Sequence, residues 1–149
     1  MANNIEDWLP QLAREWNTKF EKLNDGVTWG IDVPFSMKDS KARFQWVYIS
    51  YGVGVAKGRD IYDIRSKVGD YSKEVDLHGM MVEAKYGFYS IVCIKDVKRD
   101  EKSVEVIFVQ ASPLADHVTS FEQFKFIIDE VGGNADILEE KFFGGVDKA

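Results

Sequence analysis

The clearest pattern in the chain is an apolar stripe close to its start. Between residues 5 and 23 the large apolar side chains recur every three or four positions; they are Ile5, Trp8, Leu9, Leu12, Trp16, Phe20 and Leu23. This spacing predicts an amphipathic helix that buries one face, and Asn24-Asp25-Gly26 is expected to end it. Pro10 lacks a backbone N–H and its ring crowds the preceding turn. We therefore expect a kink at residues 6–10, or a main helix that begins only near Leu9.

After Gly26 the apolar period changes from that of a helix to that of strands. Apolar and polar residues alternate over 27–34, which predicts a half-buried strand that ends at Pro34. Residues 43–51 are rich in aromatic and β-branched side chains and predict a second strand. The glycines of segment 52–56 indicate that this strand continues through a bulge or a bend.

The middle of the chain is less decisive. Residues 60–68 favour a short helix capped by Asp60, although their apolar residues also admit a strand. Residues 69–79 are mostly polar and are typical of a loop.

Residues 87–111 predict an antiparallel hairpin with a charged tip at 95–103. Within the hairpin, both alternating sets of side chains over 88–94 are apolar, which indicates a central strand covered on both faces. Cys93 lies inside this run. We interpret it as a small structural hydrophobe, because burial raises the pKa of a thiol and blocks access to it.

The last part of the chain has a second helical pattern. A Ser/Thr residue followed three positions later by Glu or Gln resembles a capping box near residue 120, and apolar residues at helical spacing extend it over 120–131. Gly132-Gly133 is expected to end this helix, and Asn134 is expected to cap a further short helix over 135–143.

These elements predict an α+β fold: an antiparallel β-sheet packed by an N-terminal amphipathic helix and by C-terminal helices. No repeat, linker or low-complexity tract divides the sequence, so we expect a single α+β domain over residues 1–149.

Composition narrows the classes of function. The chain has 19 basic and 25 acidic residues, and its net charge of −6 argues against a nucleic-acid partner. A single cysteine and the lack of a long apolar run predict a reducing, aqueous compartment with no membrane partner. The first residues lack the pattern of a secretory signal, so a cytoplasmic protein is expected.

Residues suited to catalysis are few. His78 and His117 each follow an acid, but neighbouring residues rarely bring their side chains face to face. The glycines of segment 52–58 do not have the spacing of a dinucleotide loop. Zinc ligands are too few, and Asp60, Asp63 and Asp70 do not match the spacing of a calcium loop. We therefore predict no catalytic residue, no cofactor and no metal site.

Aromatic residues are the candidate binding groups. In strand 43–51, Phe44, Trp46 and Tyr48 share one face while Val47, Ile49 and Tyr51 share the other, so one face is available for a partner or a second subunit. The candidate partner-binding residues are Trp46, Tyr48, Tyr51, Phe142 and Phe143.

A family resemblance follows from this order of elements. A small acidic chain with a helix at 5–23, strands at 27–34 and 43–55, a short helix near 60–68, a hairpin at 87–111 and a closing helix at 120–131 resembles the type III secretion chaperone-like fold. The resemblance implies a homodimer that binds proteins through sheet and helix surfaces, without catalysis.

The leading hypothesis is therefore a non-enzymatic protein-binding domain, a chaperone-like homodimer that associates through the first helix or through strand 43–51. One alternative is an immunity or antitoxin-like protein, since residues 112–149 hold eight acids and three bases that could neutralise a basic partner. Another is a small enzyme or ligand carrier with an aromatic pocket between helix and sheet.

Overall fold

The structure is a computed structural model that describes residues 4–36, 42–84 and 87–144. In chain order the helices and strands are α1 (Ile5–Trp16), β1 (Phe20–Lys22), β2 (Thr28–Ser36), β3 (Ala42–Ala56), β4 (Arg59–Asp70), α2 (Leu77–Glu83), β5 (Ile91–Arg99), β6 (Lys102–Ala111) and α3 (Phe121–Phe143). A short 3-10 turn at Ala115–His117 precedes α3. The predicted α+β class is confirmed.

The six strands form one antiparallel sheet in the order β1-β2-β3-β4-β6-β5. The helices α1 and α3 pack on one face of this sheet, where inward residues such as Val47, Ile49 and Ile64 are fully buried. Gly132 of α3 lies close to the strands: a Cβ there would be 3.2 Å from Val33 and Val47. The core therefore lies between the helices and one face of the sheet.

Helix α1 is shorter than the apolar stripe predicts. Asn17 adopts the left-handed conformation (φ 53°) and ends the helix, with backbone N–H groups of the cap bonded to the carbonyls of Ala13 and Arg14. Asparagine tolerates this conformation better than most residues. The prediction of a helix up to residue 23 is wrong, and so is a start at Leu9, because the helix begins at Ile5 and includes Pro10.

Strand β2 continues through Pro34 to Ser36, so the predicted end at Pro34 is wrong. The N–H of Asp32 bonds to the carbonyl of Lys19 on the β1 side, and Pro34, two residues further, has the same orientation. The short β1 pairs only with Trp29, Gly30 and Ile31. Pro34 therefore lies beyond the end of β1, where a backbone N–H on this side of β2 would have no strand partner, so proline is tolerated there.

Strand β4 occupies the segment for which a short helix was favoured, so the helix prediction is wrong and the strand alternative is right. β4 pairs with β3 on one side and β6 on the other, and its Tyr62 and Ile64 are fully buried. Two flanking strands decide the conformation of a sequence whose local propensity is ambiguous. The bulge expected after Tyr51 is confirmed by a shift of register between Tyr51 and Val55.

The predicted hairpin is confirmed as β5 and β6, with a turn at Asp100 and Glu101 that is shorter than the predicted tip. Both turn residues have positive φ, as a tight hairpin turn requires. The prediction of a central strand over 88–94 is wrong. β5 is the edge strand of the sheet, and Ile91 is 66% exposed.

Two further predictions differ from the structure in the second half of the chain. The segment 69–79 was expected to be a loop, which holds for residues 71–76, but β4 extends to Asp70 and α2 begins at Leu77. Asp76 caps α2, and its carboxylate accepts the N–H of Gly79 at 2.8 Å. The helix predicted over 120–131 and the one over 135–143 are a single helix, α3, which passes through Gly132-Gly133.

The start of α3 follows the predicted capping pattern. The hydroxyl of Ser120 accepts the N–H of Gln123 at 3.1 Å, and the side chain of Gln123 accepts the N–H of Thr119 at 3.0 Å. Throughout the described ranges, the helices are too short or too polar to traverse a lipid bilayer.

Candidate functional site

The face of the sheet opposite the helices forms a groove of about 790 Å³. We call this surface the open face. The groove is lined by Lys19, Phe20, Glu21, Asp32, Phe44, Gln45, Trp46, Tyr48, Arg65, Lys67, Val97, Arg99, Val106 and Phe108, and by Glu139 of α3. The predicted division of strand β3 is confirmed here. Val47 and Ile49 point into the core, while Phe44 on the other face is 48% exposed.

Trp46 lies across the neighbouring strand β2. A Cβ atom at Gly30 would be only 2.1 Å from the indole ring, so the ring rests where a side chain at residue 30 would be. The ring of Tyr48 meets that of Trp46 edge to face, with 6.2 Å between centroids. Gly30 therefore allows the Trp46 indole to lie across β2, with the Tyr48 ring nearly perpendicular to it.

Arg65 of β4 stands between two aromatic rings of the open face. Its guanidinium carbon is 5.9 Å from the ring centroid of Tyr48 and 5.7 Å from that of Phe108. It also donates to Asp63 at 3.1 Å. The other carboxylate oxygen of Asp63, Oδ1, is buried and has no hydrogen-bond partner among the residues the structure describes. Asp63 does not belong to the groove lining, and an acceptor left buried without a partner costs stability within the fold.

Charge on the open face is close to balanced. Arg99 donates to both carboxylate oxygens of Asp70, at 2.8 and 3.2 Å, and Lys67 lies 3.6 Å from the same group. The hydrogen bonds from Arg99 hold the pKa of Asp70 below its usual range. The groove lining includes four basic side chains (Lys19, Arg65, Lys67 and Arg99) and three acidic ones (Glu21, Asp32 and Glu139). This surface lacks the excess of cations that phosphate binding requires.

Cys93 of β5 is half-buried, on the strand pair that flanks the groove. Its thiol lies 3.5 Å from the side-chain carbonyl of Gln110, to which it can donate. Burial raises the pKa of this thiol, and the nearby Lys95 only partly opposes that effect. A thiol in this state is a poor nucleophile at neutral pH.

The structure brings together two of the five predicted partner-binding residues. Trp46 and Tyr48 lie side by side on the open face. Tyr51 lies on the helix side, where its ring is 5.6 Å from Tyr62 and its hydroxyl donates to Asp60 at 3.0 Å. Phe142 and Phe143 are partly buried against the core.

Sequence reasoning missed Arg65, Phe108 and Gly30 as parts of this surface. The signal for Arg65 was present, because an alternating reading of residues 60–68 as a strand places its polar residues on one face. Nothing in the local sequence marks Gly30, because its role depends on a ring from the neighbouring strand.

The two histidines lie outside the groove lining. His78 is exposed on α2. His117 has its Nε2 3.2 Å from the guanidinium of Arg59, which also donates to Asp116 at 2.6 Å. Within the described ranges, no three or more His, Cys, Asp or Glu side chains converge as metal ligands would.

Comparison with known proteins finds a likeness of fold among solved structures. No family model matches the sequence, and no curated protein matches it. Among solved structures, the fold is similar to that of YbjN, a candidate transcription regulator from E. coli, with a TM-score of 0.51 and 10% sequence identity over 89% of this chain and 86% of that chain. The likeness supports the α+β arrangement. It does not confirm the resemblance to type III secretion chaperones.

Proposed function

We propose that this chain is a non-enzymatic protein-binding domain that holds another protein against the open face of its sheet. The carrying observation is the composition of that face. An antiparallel sheet with one buried face normally presents polar side chains on the other. Here Phe44, Trp46 and Tyr48 occupy successive outward positions of β3, and Phe108 of β6 lies on the same face beyond β4.

The residue types on the open face are those that dominate protein interfaces. Trp, Tyr and Arg are enriched among the side chains that contribute most to binding energy, and the centre of this face is the set Trp46, Tyr48 and Arg65. Arg65 is already held between two rings and by Asp63, so little of its freedom is lost when a partner covers it.

The same groove indicates what a partner must present. Apolar and aromatic side chains fit against Phe44 and Trp46. The near balance of charge along the lining and the net charge of −6 favour a protein over a nucleic acid. YbjN, which shares the fold, is described as a candidate transcription regulator, so the test below includes nucleic acid as a possible partner.

The test is a direct binding measurement with an identified partner. Tagged wild-type protein and the variant Phe44→Ser are used to capture proteins from a cell extract, and any protein lost with the variant is identified, purified and titrated by calorimetry. Phe44 is 48% exposed, so its replacement should leave the fold intact. We expect Phe44→Ser to weaken binding of the purified partner at least about tenfold.

Val27→Ser is the control, since Val27 is an exposed apolar residue outside the groove lining. Equal binding of the partner by wild type and Phe44→Ser would contradict the proposal. A second arm titrates single-stranded DNA and RNA while tryptophan fluorescence is followed, with Trp46→Phe as the reference. If nucleic acid quenches the fluorescence of the wild type but not that of Trp46→Phe, the open face binds nucleic acid and the proposal of a protein partner is wrong.

A further inference from the structure

Exposed apolar side chains concentrate at a second surface, away from the open face. Eleven large hydrophobic side chains are exposed in the described part of the chain, and seven of them belong to α2, to the loop 87–90, to the start of β5 and to α3; these are Met81, Val82, Phe88, Tyr89, Ile91, Phe126 and Ile137. A concentration of this kind marks a contact surface more often than chance exposure.

Phe88 is the most exposed of these residues, and the fold holds it in place. It is 85% exposed. The carboxylate of Glu130 on α3 accepts the backbone N–H groups of Phe88, Tyr89 and Ser90 at 3.0, 2.8 and 2.8 Å. The ring of Phe126 lies 6.4 Å from that of Phe88 and 5.9 Å from that of Tyr89. We call Phe88 in this setting the knob.

A small crevice with both apolar and polar lining lies next to the knob. It has a volume of about 200 Å³ and is lined by Glu83, Ala84, Ser90, Ile91, Val92, Val109, Asn134, Ile137 and Leu138. Ser90, two residues from the knob, forms part of its wall and accepts a hydrogen bond from Asn134 at 3.0 Å. An apolar cavity of roughly 150 Å³ in another protein takes up benzene. The crevice therefore has room for one phenyl ring.

We propose that two copies of this chain associate about a two-fold axis, with Phe88 of each copy inserted into the crevice of the other. A protrusion and a matching recess on the same surface of one chain can both be filled by a second copy, which is the defining property of a two-fold contact. A different protein that only accommodated Phe88 in a recess of its own would leave the crevice of this chain unfilled.

This pairing goes beyond the proposed function and uses a different surface. It also differs from the self-association expected through the first helix, since Ile5, Leu9 and Leu12 of α1 are fully buried in the core of one chain. In the paired molecule both open faces stay available. The dimer would therefore present two copies of the binding surface to its partner.

The first experiment measures the mass of the full-length protein by sedimentation velocity from low to high micromolar concentration. We expect the wild type to reach twice the chain mass of 17.0 kDa. Phe88→Ser removes the knob, and Ala84→Trp fills the crevice from its wall. Each variant should weaken dimerisation at least about tenfold. Phe88 is exposed, so its replacement should leave the melting temperature of the monomer unchanged.

The decisive experiment mixes the two variants. Phe88→Ser keeps an open crevice and Ala84→Trp keeps a knob, so a mixed pair retains one of the two contacts while each variant alone retains none. We expect a mixed dimer that is tighter than either homodimer. Phe44→Ser on the open face is the control, and its mass should equal that of the wild type.

Three outcomes would overturn the inference. They are a wild type that remains monomeric at high micromolar concentration, a dimer that tolerates both variants, and a mixture that behaves as the sum of its components. If a monomeric protein instead loses a different partner on Phe88→Ser, the surface binds that partner and the two-fold pairing is wrong. None of these results bears on the open face, which Phe44→Ser tests separately.

Discussion

Replacement of Arg43 by methionine should destabilise the fold in a pH-dependent manner. Arg43 of β3 joins the sheet to α3: its Nε donates to Oδ1 of Asp136 at 2.7 Å, and its Nη2 donates to the backbone carbonyl of Asp136 at 3.3 Å. The two side chains are only 16% and 12% exposed. The variant Arg43→Met keeps most of the volume of the side chain and leaves the carboxylate of Asp136 without this partner.

The expected loss follows from this burial. Removal of one member of a buried ion pair costs about 3–5 kcal/mol. Because this pair retains some contact with water, we expect about 3 kcal/mol at neutral pH, which corresponds to a drop in melting temperature of roughly 6–12 °C for a chain of this size. The matched control is Arg59→Met, whose pair with Asp116 is 46% and 34% exposed. Its loss should stay below about 1 kcal/mol.

The pH dependence provides a second readout. Burial raises the pKa of Asp136 above its usual range even though Arg43 opposes the shift. Loss of the guanidinium raises it further. An acid whose pKa is higher in the folded state reduces stability when ionised, and this cost disappears as the pH falls through the folded pKa. The loss of folding stability caused by Arg43→Met should therefore be largest at neutral pH and smaller in mild acid.

Urea and thermal denaturation of both variants across this pH range test the reasoning. The double variant Arg43→Met/Asp136→Leu, which removes both charges, should recover most of the lost stability. Equal losses for Arg43→Met and Arg59→Met would refute the argument, as would a deficit that grows when the pH is lowered.

Three other perturbations probe the two surfaces. Gly30→Ala should displace the Trp46 indole, because the new Cβ would lie 2.1 Å from the ring. Partner binding should then weaken at least about tenfold. Gly133→Ala is the control, since a Cβ at residue 133 meets only Phe35, at an ordinary van der Waals distance. Cys93 should react with a thiol reagent more slowly in the folded than in the unfolded protein at neutral pH. With rising pH, the reaction rate of the folded protein should increase with a midpoint above the ordinary thiol pKa, because burial raises the pKa of Cys93. Prompt reaction of the folded protein at neutral pH would contradict this. Glu130→Gln should speed amide exchange at residues 88–90 and cost about 1–2 kcal/mol, since it replaces a charged acceptor of three backbone N–H groups; unchanged exchange relative to Glu122→Gln would argue against the clamp.

Local sequence patterns determined much of the architecture. Alternation over 43–51 placed Trp46 and Tyr48 on one face and Val47 on the other, as found. Side-chain alternation is a property of any extended backbone, so it holds wherever the strand lies in the sheet. The start of α3 and the β5–β6 hairpin were also predictable from local sequence, because the cap and the turn involve residues close to one another in the chain.

The open face itself could be predicted only in part. Its β3 row followed from alternation, whereas the place of Arg65 beside Tyr48 required β4 to be a strand in register with β3. The role of Gly30 depends on a ring that reaches across from β3. These relations join residues distant in sequence, and no local pattern encodes them.

Tertiary structure alone decided where elements end and which of them are covered. An apolar run such as 91–94 suits a central strand or an edge strand, and only the absence of a further described strand beside β5 makes it the edge. Gly132-Gly133 would end an isolated helix, yet α3 continues because Gly132 lets the helix approach Val33 and Val47 closely. Packing against the sheet can outweigh the cost of about 1 kcal/mol that each glycine carries in a helix. The sequence therefore specified the faces of its strands and helices, and contacts between distant segments decided which faces remained exposed.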